Sequence, residues 1–543
     1  MKKYQPYALM LIAGLIYSLG HPNLLGVLLP FTPILGTSLL IYFIIKAPSP
    51  WSAIKYLLTF NLVITIVSFY WITNTLQEFG NLPFVVAGLF NLCYALIFCP
   101  QYWFLILGLA LIKKYKRRWF NLYFRDGLFS ILLAATLTTL EYFIPQQFPI
   151  MLGQPWIVFS DYLGLAPYFG LPLFSFLSYI VAIEIIRYFK VRRISYFNFS
   201  VVFILIGLNI QLASRPVTSA QEASDNKLTP FKVRVVQANI SNFLKVDSET
   251  GNYASVDQVL SSYKELSLLP SKEQKKIDLI IWPETAYPYP ITTDKKDLGQ
   301  TVLPPLFLEI ATLMDSELLI GGYDHLKDDT DNSFYQTEYN AAFHISANGQ
   351  LKKTFHKHIL IPFGETLPFG PLNKWISKQV PELAFFAEGS SFPTFTTASG
   401  INFITTICYE LIKPEFIRKY LNETDKHPQV LINLSNDSWY GNTVEPEQHL
   451  FLAKWRAIEF NLPIIRSTNT GISSYIGSDG IEKQRLNYYK KGNLDLELMI
   501  GPAPAPTMYQ KYGYMMILPL FALCFIFHLL LIKFKYAKNN SHL

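Results

Sequence analysis

Four cysteines occur in the 543-residue chain, and three of them (Cys93, Cys99 and Cys524) fall inside long apolar runs. There a cysteine is usually just a small apolar side chain. Cys408 alone lies in the more polar stretch from about 215 to 514. The charge pattern described below predicts export of that stretch to an oxidising compartment. A thiol with no disulfide partner there invites a functional explanation. The plainer alternative is a buried, inert cysteine at a strand end. A reactive thiol needs a base to take its proton and a cation to steady the charge that follows.

Candidates for both are present. Glu284 ends the apolar run Ile277–Glu284 in Trp-Pro-Glu. A carboxylate partly desolvated at a strand edge makes a usable base, although a capping acid would look the same. Lys357 lies in Phe-His-Lys-His and could hold a thiolate or an oxyanion, though isolated lysines are usually solvated surface. Glu365 closes Pro362-Phe363-Gly364-Glu365, where glycine permits a tight turn. Glu410 follows Cys408 and Tyr409, and on an extended backbone it would share a face with Cys408. His356 and His358 form a His-x-His pair, but no further histidine or acid lies at a clear ligand spacing. No metal is expected.

The elements that must carry these residues read as α/β. Apolar runs at 232–240, 277–284, 317–323, 401–410, 430–437 and 464–468 predict strands, with helical patterns such as Glu447–Phe460 between them. Strands that end in polar residues suit a site at the carboxyl edge of a sheet. Ala220–Lys227 is polar and predicts a linker.

The flanks are different. Hydrophobic residues make up 51% of the chain and charged residues 16%, against roughly 25% charged in soluble proteins. Seven candidate membrane spans lie at about 6–21, 26–45, 53–73, 83–112, 127–144, 166–186 and 198–214, and one at 515–532. The 83–112 run is long enough to include a re-entrant or tilted part. The first span has no small-residue cleavage site and predicts an uncleaved anchor. Lysine and arginine fill alternate loops: Lys46 and Lys55, then Lys113 to Arg125, then Arg187 to Arg193, then Lys533 to Lys538. The loops at 21–25, 74–82 and 145–165 contain none. By the positive-inside rule both termini are cytoplasmic and the polar stretch lies on the far side. In a two-membrane bacterium that side is the periplasm and the membrane is the inner one. The net charge of +7 therefore follows topology, and no nucleic-acid motif accompanies it. Glu78, Glu141, Asp161 and Glu184 lie near span ends, which argues against an ion relay and so against a transporter.

Glutamate, lysine and cysteine in this order resemble the nitrilase (carbon-nitrogen hydrolase) superfamily over about 231–480. With the apolar flanks included, the chain resembles the apolipoprotein N-acyltransferase family. Val235–Ile240, Pro362–Glu365, Cys408–Glu410, Asn436–Gly441, Glu447–Leu450 and Arg466–Gly471 carry that resemblance, with Phe69-Tyr70-Trp71 and Glu141–Pro149 in the flank. It implies a membrane domain at 1–214 within a total of about eight spans. It also implies a four-layer α-β-β-α catalytic sandwich at 228–505 and a last span at 514–533. Catalytic Glu284, Lys357 and Cys408 would be supported by Glu365, Tyr409, Glu410, Trp439 and Tyr440. The implied reaction moves the sn-1 acyl chain of a phospholipid, through a cysteine thioester, to the amino terminus of a diacylglyceryl-cysteine apolipoprotein, with no cofactor. The alternative is a membrane-tethered amidase with the same triad. Three positions depart from the pattern: Val246 where tryptophan is common, Ala238 where glycine is common, and no arginine following Glu141.

Overall fold

The structure is a computed structural model. It describes residues 4–78, 80, 82–115, 127–213, 228–271, 276–294, 297–326, 338–362, 364–367, 370–373, 376 and 386–540. The linker expected at 220–227, the basic residues Lys116, Arg117, Arg118 and Arg125, and Phe363 lie outside the described residues. The chain divides into two compact units. One comprises Met1–Pro216, Thr443–Phe451 and Thr507–Leu543; the other comprises Val217–Asn442 and Leu452–Pro506.

The first unit is helical. Among the described residues, four helices are long and apolar enough to cross a membrane: Pro50–Ser68, Leu171–Lys190, Tyr196–Ala213 and Met508–Leu531. Gln5–Ser18, Thr32–Lys46, Phe84–Tyr94, Gln101–Leu111 and Leu128–Phe143 are apolar but shorter. The 83–112 run is not one helix. It breaks between Tyr94 and Gln101, where Cys99 takes a left-handed φ of 49° ahead of Pro100. Proline cannot donate to the preceding turn. The carbonyls freed at Ala95 and Phe98 accept hydrogen bonds from the Asn61 side chain, at 3.0 and 2.8 Å.

Close helix contacts use small residues. A Cβ on Gly14 would lie 2.6 Å from the Phe60 carbonyl oxygen, and one on Gly36 would lie 2.6 Å from that of Ala13. Glu184 is buried and paired with Arg187 at 2.8 Å. Two motifs singled out in the sequence meet within this unit. Gln448 accepts from Trp71 Nε1 at 3.0 Å and donates to the carbonyls of Pro22 and Ser68, at 2.8 and 2.6 Å.

The second unit contains two sheets. The first comprises β1 (Thr229–Gln237), β2 (Leu279–Trp282), β3 (Pro290–Thr293), β4 (Glu317–Leu326), β5 (Glu338–Ile345), β6 (Leu351–His356) and β13 (Gly492–Ile500). Its order is β13-β1-β2-β4-β5-β6, with β3 beside the far end of β4. The second sheet comprises β7 (Phe395–Thr396), β8 (Asn402–Ile407), β9 (Val430–Ser435), β10 (Ile464–Thr468), β11 (Ser473–Ile476) and β12 (Glu482–Leu486), in the order β12-β11-β10-β9-β8-β7.

The centres of both sheets are parallel: β1, β2 and β4 in one, β8, β9 and β10 in the other. Parallel strands are covered on both faces, so their sequences run apolar throughout. LIIW of β2 and VLINLS of β9 are buried at every position. One face of the first sheet packs on the helices Tyr253–Leu268 and Pro305–Met314, through Val259, Tyr263, Phe307 and Ile310 against Ile280, Trp282 and Ile320. Parallel strands of both sheets send their carboxyl ends to neighbouring places. There Asn469, just after β10, exchanges two 2.8 Å hydrogen bonds with the backbone of Ile240, just after β1.

Candidate active site

Cys408 follows β8 directly and opens the short helical turn Cys408–Ile412. Its φ is 52°, in the left-handed region that non-glycine residues seldom occupy. Such strain persists where the surroundings enforce it, and it gathers at functional sites. Asn433 on the adjacent β9 donates to the Cys408 carbonyl at 3.3 Å and to Thr406 Oγ1 at 3.1 Å. Cys408 is 3% exposed.

Glu284 stands two residues past the end of β2, and Lys357 follows β6. They meet: Lys357 Nζ donates to Glu284 Oε1 at 2.9 Å and to Glu365 Oε1 at 2.8 Å. Lys357 is fully buried and Glu284 nearly so. Burying an ammonium is costly unless it is paired, and here two carboxylates share it. The second oxygens are also held. Glu284 Oε2 accepts from the Asn436 backbone at 2.9 Å, and Glu365 Oε2 accepts from the Ile361 backbone at 2.9 Å.

The electrostatics follow from this packing. Burial pushes the Cys408 thiol well up, the Glu284 carboxylate adds to that, and Lys357 opposes it. The resting thiol therefore keeps its proton and needs a base to remove it. Burial alone would lower the Lys357 ammonium, but Glu284 and Glu365 hold it well above the ordinary lysine value. The lysine stays a cation whose charge acts on the sulfur. A carboxylate and an obligate cation from the ends of β2 and β6 in the first sheet, with a neutral thiol from the end of β8 in the second, can deprotonate sulfur and stabilise an oxyanion.

The supporting residues fall into two groups. Glu410 does not share an extended face with Cys408, because the chain turns at the cysteine. Its carboxylate accepts from the backbones of Ile407, His358 and Ile359, at 2.8, 2.6 and 3.1 Å. It thus ties the segment after Lys357 to the segment before the cysteine. Burial pushes it up to about 7 against those bonds. Tyr409 is buried, with the Lys413 ammonium 4.3 Å from its ring centre. Trp439 is half-buried and Tyr440 buried, on the turn Asp437–Tyr440. That turn begins at Asn436, whose N–H holds Glu284. The two histidines of the His-x-His pair part company: His356 bonds Asp324 at 2.6 Å, while His358 stacks on Phe392.

Two features went unread in the sequence. Asn340 on β5 donates to both Glu284 and Glu365, at 2.8 and 3.0 Å, spanning the two carboxylates. Its signal was an amide beside the buried run Ala341-Ala342-Phe343, since a buried polar group needs partners. Asp437 pairs with Arg466 at 2.9 Å, both fully buried. Its signal was an arginine inside the apolar strand Ile464–Thr468, which must find an anion.

The carbon-nitrogen hydrolase family model matches residues 232–494, which holds this whole cluster, and the model for the apolipoprotein N-acyltransferase N-terminal domain matches residues 13–183. The chain belongs to the apolipoprotein N-acyltransferase family. Proteins described as apolipoprotein N-acyltransferase are similar along most of its length. The one from Haemophilus ducreyi is 28% identical over 87% of this chain and 86% of its own. That from Haemophilus influenzae is 27% identical over 98% and 95%. A Rhizobium rhizogenes relative is 33% identical over 49% and 47%. Among solved structures, Saccharomyces cerevisiae Nit3, of the nitrilase superfamily, aligns at 17% identity over 51% of this chain and 92% of its own, with a TM-score of 0.36.

Proposed function

We propose that this chain is a bacterial membrane acyltransferase that N-acylates apolipoproteins, with a phospholipid as donor and Cys408 as the acyl carrier. The observation that carries the reading is the Lys357 ammonium shared by Glu284 and Glu365, in whose field the buried Cys408 thiol lies. Glu284 takes the thiol proton as the sulfur attacks the sn-1 ester carbonyl. The C–S bond forms, the ester C–O bond breaks, and the lysophospholipid leaves with the proton. The free α-amine of a diacylglyceryl-cysteine lipoprotein then attacks the thioester. A C–N bond forms, the C–S bond breaks, and the thiol is restored. Lys357 and the backbone N–H of Tyr409 hold the oxyanion in both halves. Glu365 and Glu410 position the lysine, and Trp439 and Tyr440 shape the site. The exchange of ester for amide is downhill, so no cofactor is called for.

The same reading assigns the remaining architecture. The catalytic domain, 228–505, is a four-layer α-β-β-α sandwich on the periplasmic side of the inner membrane. The membrane domain, 1–214, and a last helix at 514–533 supply about eight spans, with both termini cytoplasmic. Four helices of crossing length support the membrane assignment. Both substrates carry acyl chains that stay in the bilayer, since each buried CH₂ contributes about 0.8 kcal/mol. A membrane-embedded enzyme meets them where they are.

The test is intact-mass analysis of the full-length protein in detergent with phospholipid. The expected result is a gain of one acyl chain, removed by hydroxylamine and absent in Cys408→Ala. A diacylated lipopeptide should then discharge it and become triacylated. Discharge by water alone would instead establish a hydrolase. No adduct with any lipid, from a folded protein, would sink the covalent mechanism.

A further inference from the structure

We propose that Lys245 is a positioning residue for Glu284, acting through the backbone of Thr285. The proposal rests on the reading of Glu284 as the base. Thr285 follows Glu284 and has a φ of 46°. A β-branched residue in the left-handed region is a genuine outlier, kept there only by its surroundings. Lys245 bonds its carbonyl directly, and the Tyr323 side chain bonds its side chain. The Lys245 side chain is 8% exposed, and its Nζ donates to the Thr285 carbonyl at 3.2 Å.

That ammonium is itself fixed in place. It pairs with Glu249, one turn along the helix Asn242–Glu249. Tyr323 Oη, on β4, donates to the same Glu249 oxygen. The Tyr323 ring is stacked on Phe386 at 5.7 Å between centroids. A lysine, a glutamate and a tyrosine therefore form a clamp between a helix and a sheet. Besides Glu249, the ammonium donates to Tyr323 Oη at 3.5 Å and to one backbone carbonyl, that of the residue next to the base. Buried charge-assisted contacts of this kind are strong and directional. Among the described residues the clamp's hydrogen bonds lead to Thr285 and not to Cys408, so its effect passes through the Glu284 turn.

The test uses the full-length protein in detergent, as wild type, Lys245→Met, and Lys245→Met with Thr285→Gly. Glycine takes positive φ without strain, so it relieves the need for the clamp. Two rates are read by peptide mass: Cys408 acylation across phospholipid concentrations, and Cys408 alkylation by iodoacetamide. Lys245→Met should lower the maximal acylation rate roughly 10- to 100-fold, the scale of a misplaced catalytic group. The half-saturating lipid concentration should stay within about twofold of wild type. Alkylation should slow in parallel. Thr285→Gly should restore about threefold or more of the loss, because the two residues act on one element.

Full activity in Lys245→Met, a change confined to half-saturation, or no recovery with Thr285→Gly would each overturn the proposal. Should Lys245→Met not fold, Glu249→Gln weakens the same clamp from its anionic side and carries the same expectations. If wild type takes no acyl chain while alkylation follows the expected order, the acyl-transfer reading fails and the positioning role stands.

Discussion

The position of the base is open to a steric test from behind. Gly321 lies on β4, level with the turn that carries Glu284. A Cβ built there would lie 2.2 Å from the Pro283 carbonyl oxygen and 2.8 Å from Glu284 Cα. Both are backbone atoms, so no flexible side chain can yield. Ordinary contact begins near 3.4 Å, which leaves the methyl group short by about 1.2 Å. The strands on either side cannot easily separate, because β2 and β4 pair continuously from Leu279↔Glu317 to Trp282↔Ile320. The displacement must go into Pro283 and Glu284.

A shift of about 1 Å in a catalytic group costs roughly 10²-fold in rate, equivalent to about 2.7 kcal/mol. The fold itself should lose ~1–3 kcal/mol, as for overpacked cores. Gly321→Ala is therefore expected to slow Cys408 acylation about 100-fold while the protein still unfolds cooperatively. Gly322→Ala is the control. Its Cβ would meet Phe343 Cε2 at 3.4 Å and the Cβ and carbonyl oxygen of Tyr287 at 3.6 Å, all ordinary contacts. It should act at the wild-type rate and gain a little stability, since glycine inside a strand costs ~0.5–1 kcal/mol relative to alanine. The assay is the rate of acyl adduct formation by intact mass, beside thermal unfolding in the same detergent. Activity of Gly321→Ala within about threefold of wild type would refute the reasoning, as would equal damage from Gly322→Ala.

Two further outcomes follow from buried charge. Arg466→Met should destabilise the protein by ~3–5 kcal/mol, because it takes the cation away from the fully buried Asp437 carboxylate; Asp437→Asn in the same chain should recover most of that in thermal unfolding. Burial of His358 lowers its titration to about 4 from 6.5. The unfolded chain then binds a proton that the fold refuses, so stability falls as pH drops from 6.5 to 4 and is level above that window. His358→Phe keeps the stacking on Phe392 and should remove ~1–2 kcal/mol of that fall, allowing for partial exposure; equal pH dependence in the two proteins would count against the assignment.

What could be read from the chain in advance, and what could not, divides along one physical line. The six apolar runs read as strands are β1, β2, β4, β8, β9 and β10, and these are the parallel strands at the two sheet centres. Strands covered on both faces must be apolar throughout, and so they announce themselves. The strands that went unread are antiparallel ones and short edges. β12 is Glu-Lys-Gln-Arg-Leu, largely exposed, and exists because β11 pairs with it. β6 is Leu-Lys-Lys-Thr-Phe-His, and its place comes from pairing with β5. Hydropathy failed in a matching way in the helical unit. The residues on both sides of the break between Tyr94 and Gln101 are apolar, so an apolar run conceals the turn that Cys99 and Pro100 make.

The site straddles this line. Glu284, Cys408 and Asn436 lie at the carboxyl ends of legible parallel strands, which is why an edge site was foreseeable. Lys357 and Asn340 arrive on the β5–β6 hairpin, whose sequence carries no strand signal strong enough to place them. Lys357 was therefore reachable only as a motif, and Asn340 not at all. Yet Asn340 is the group that touches both carboxylates around the lysine. The parallel strands supply the base and the nucleophile, and the hairpin supplies the cation and the amide that set the distance between the two carboxylates. Chemistry at this site thus depends on the half of the fold that composition least reveals.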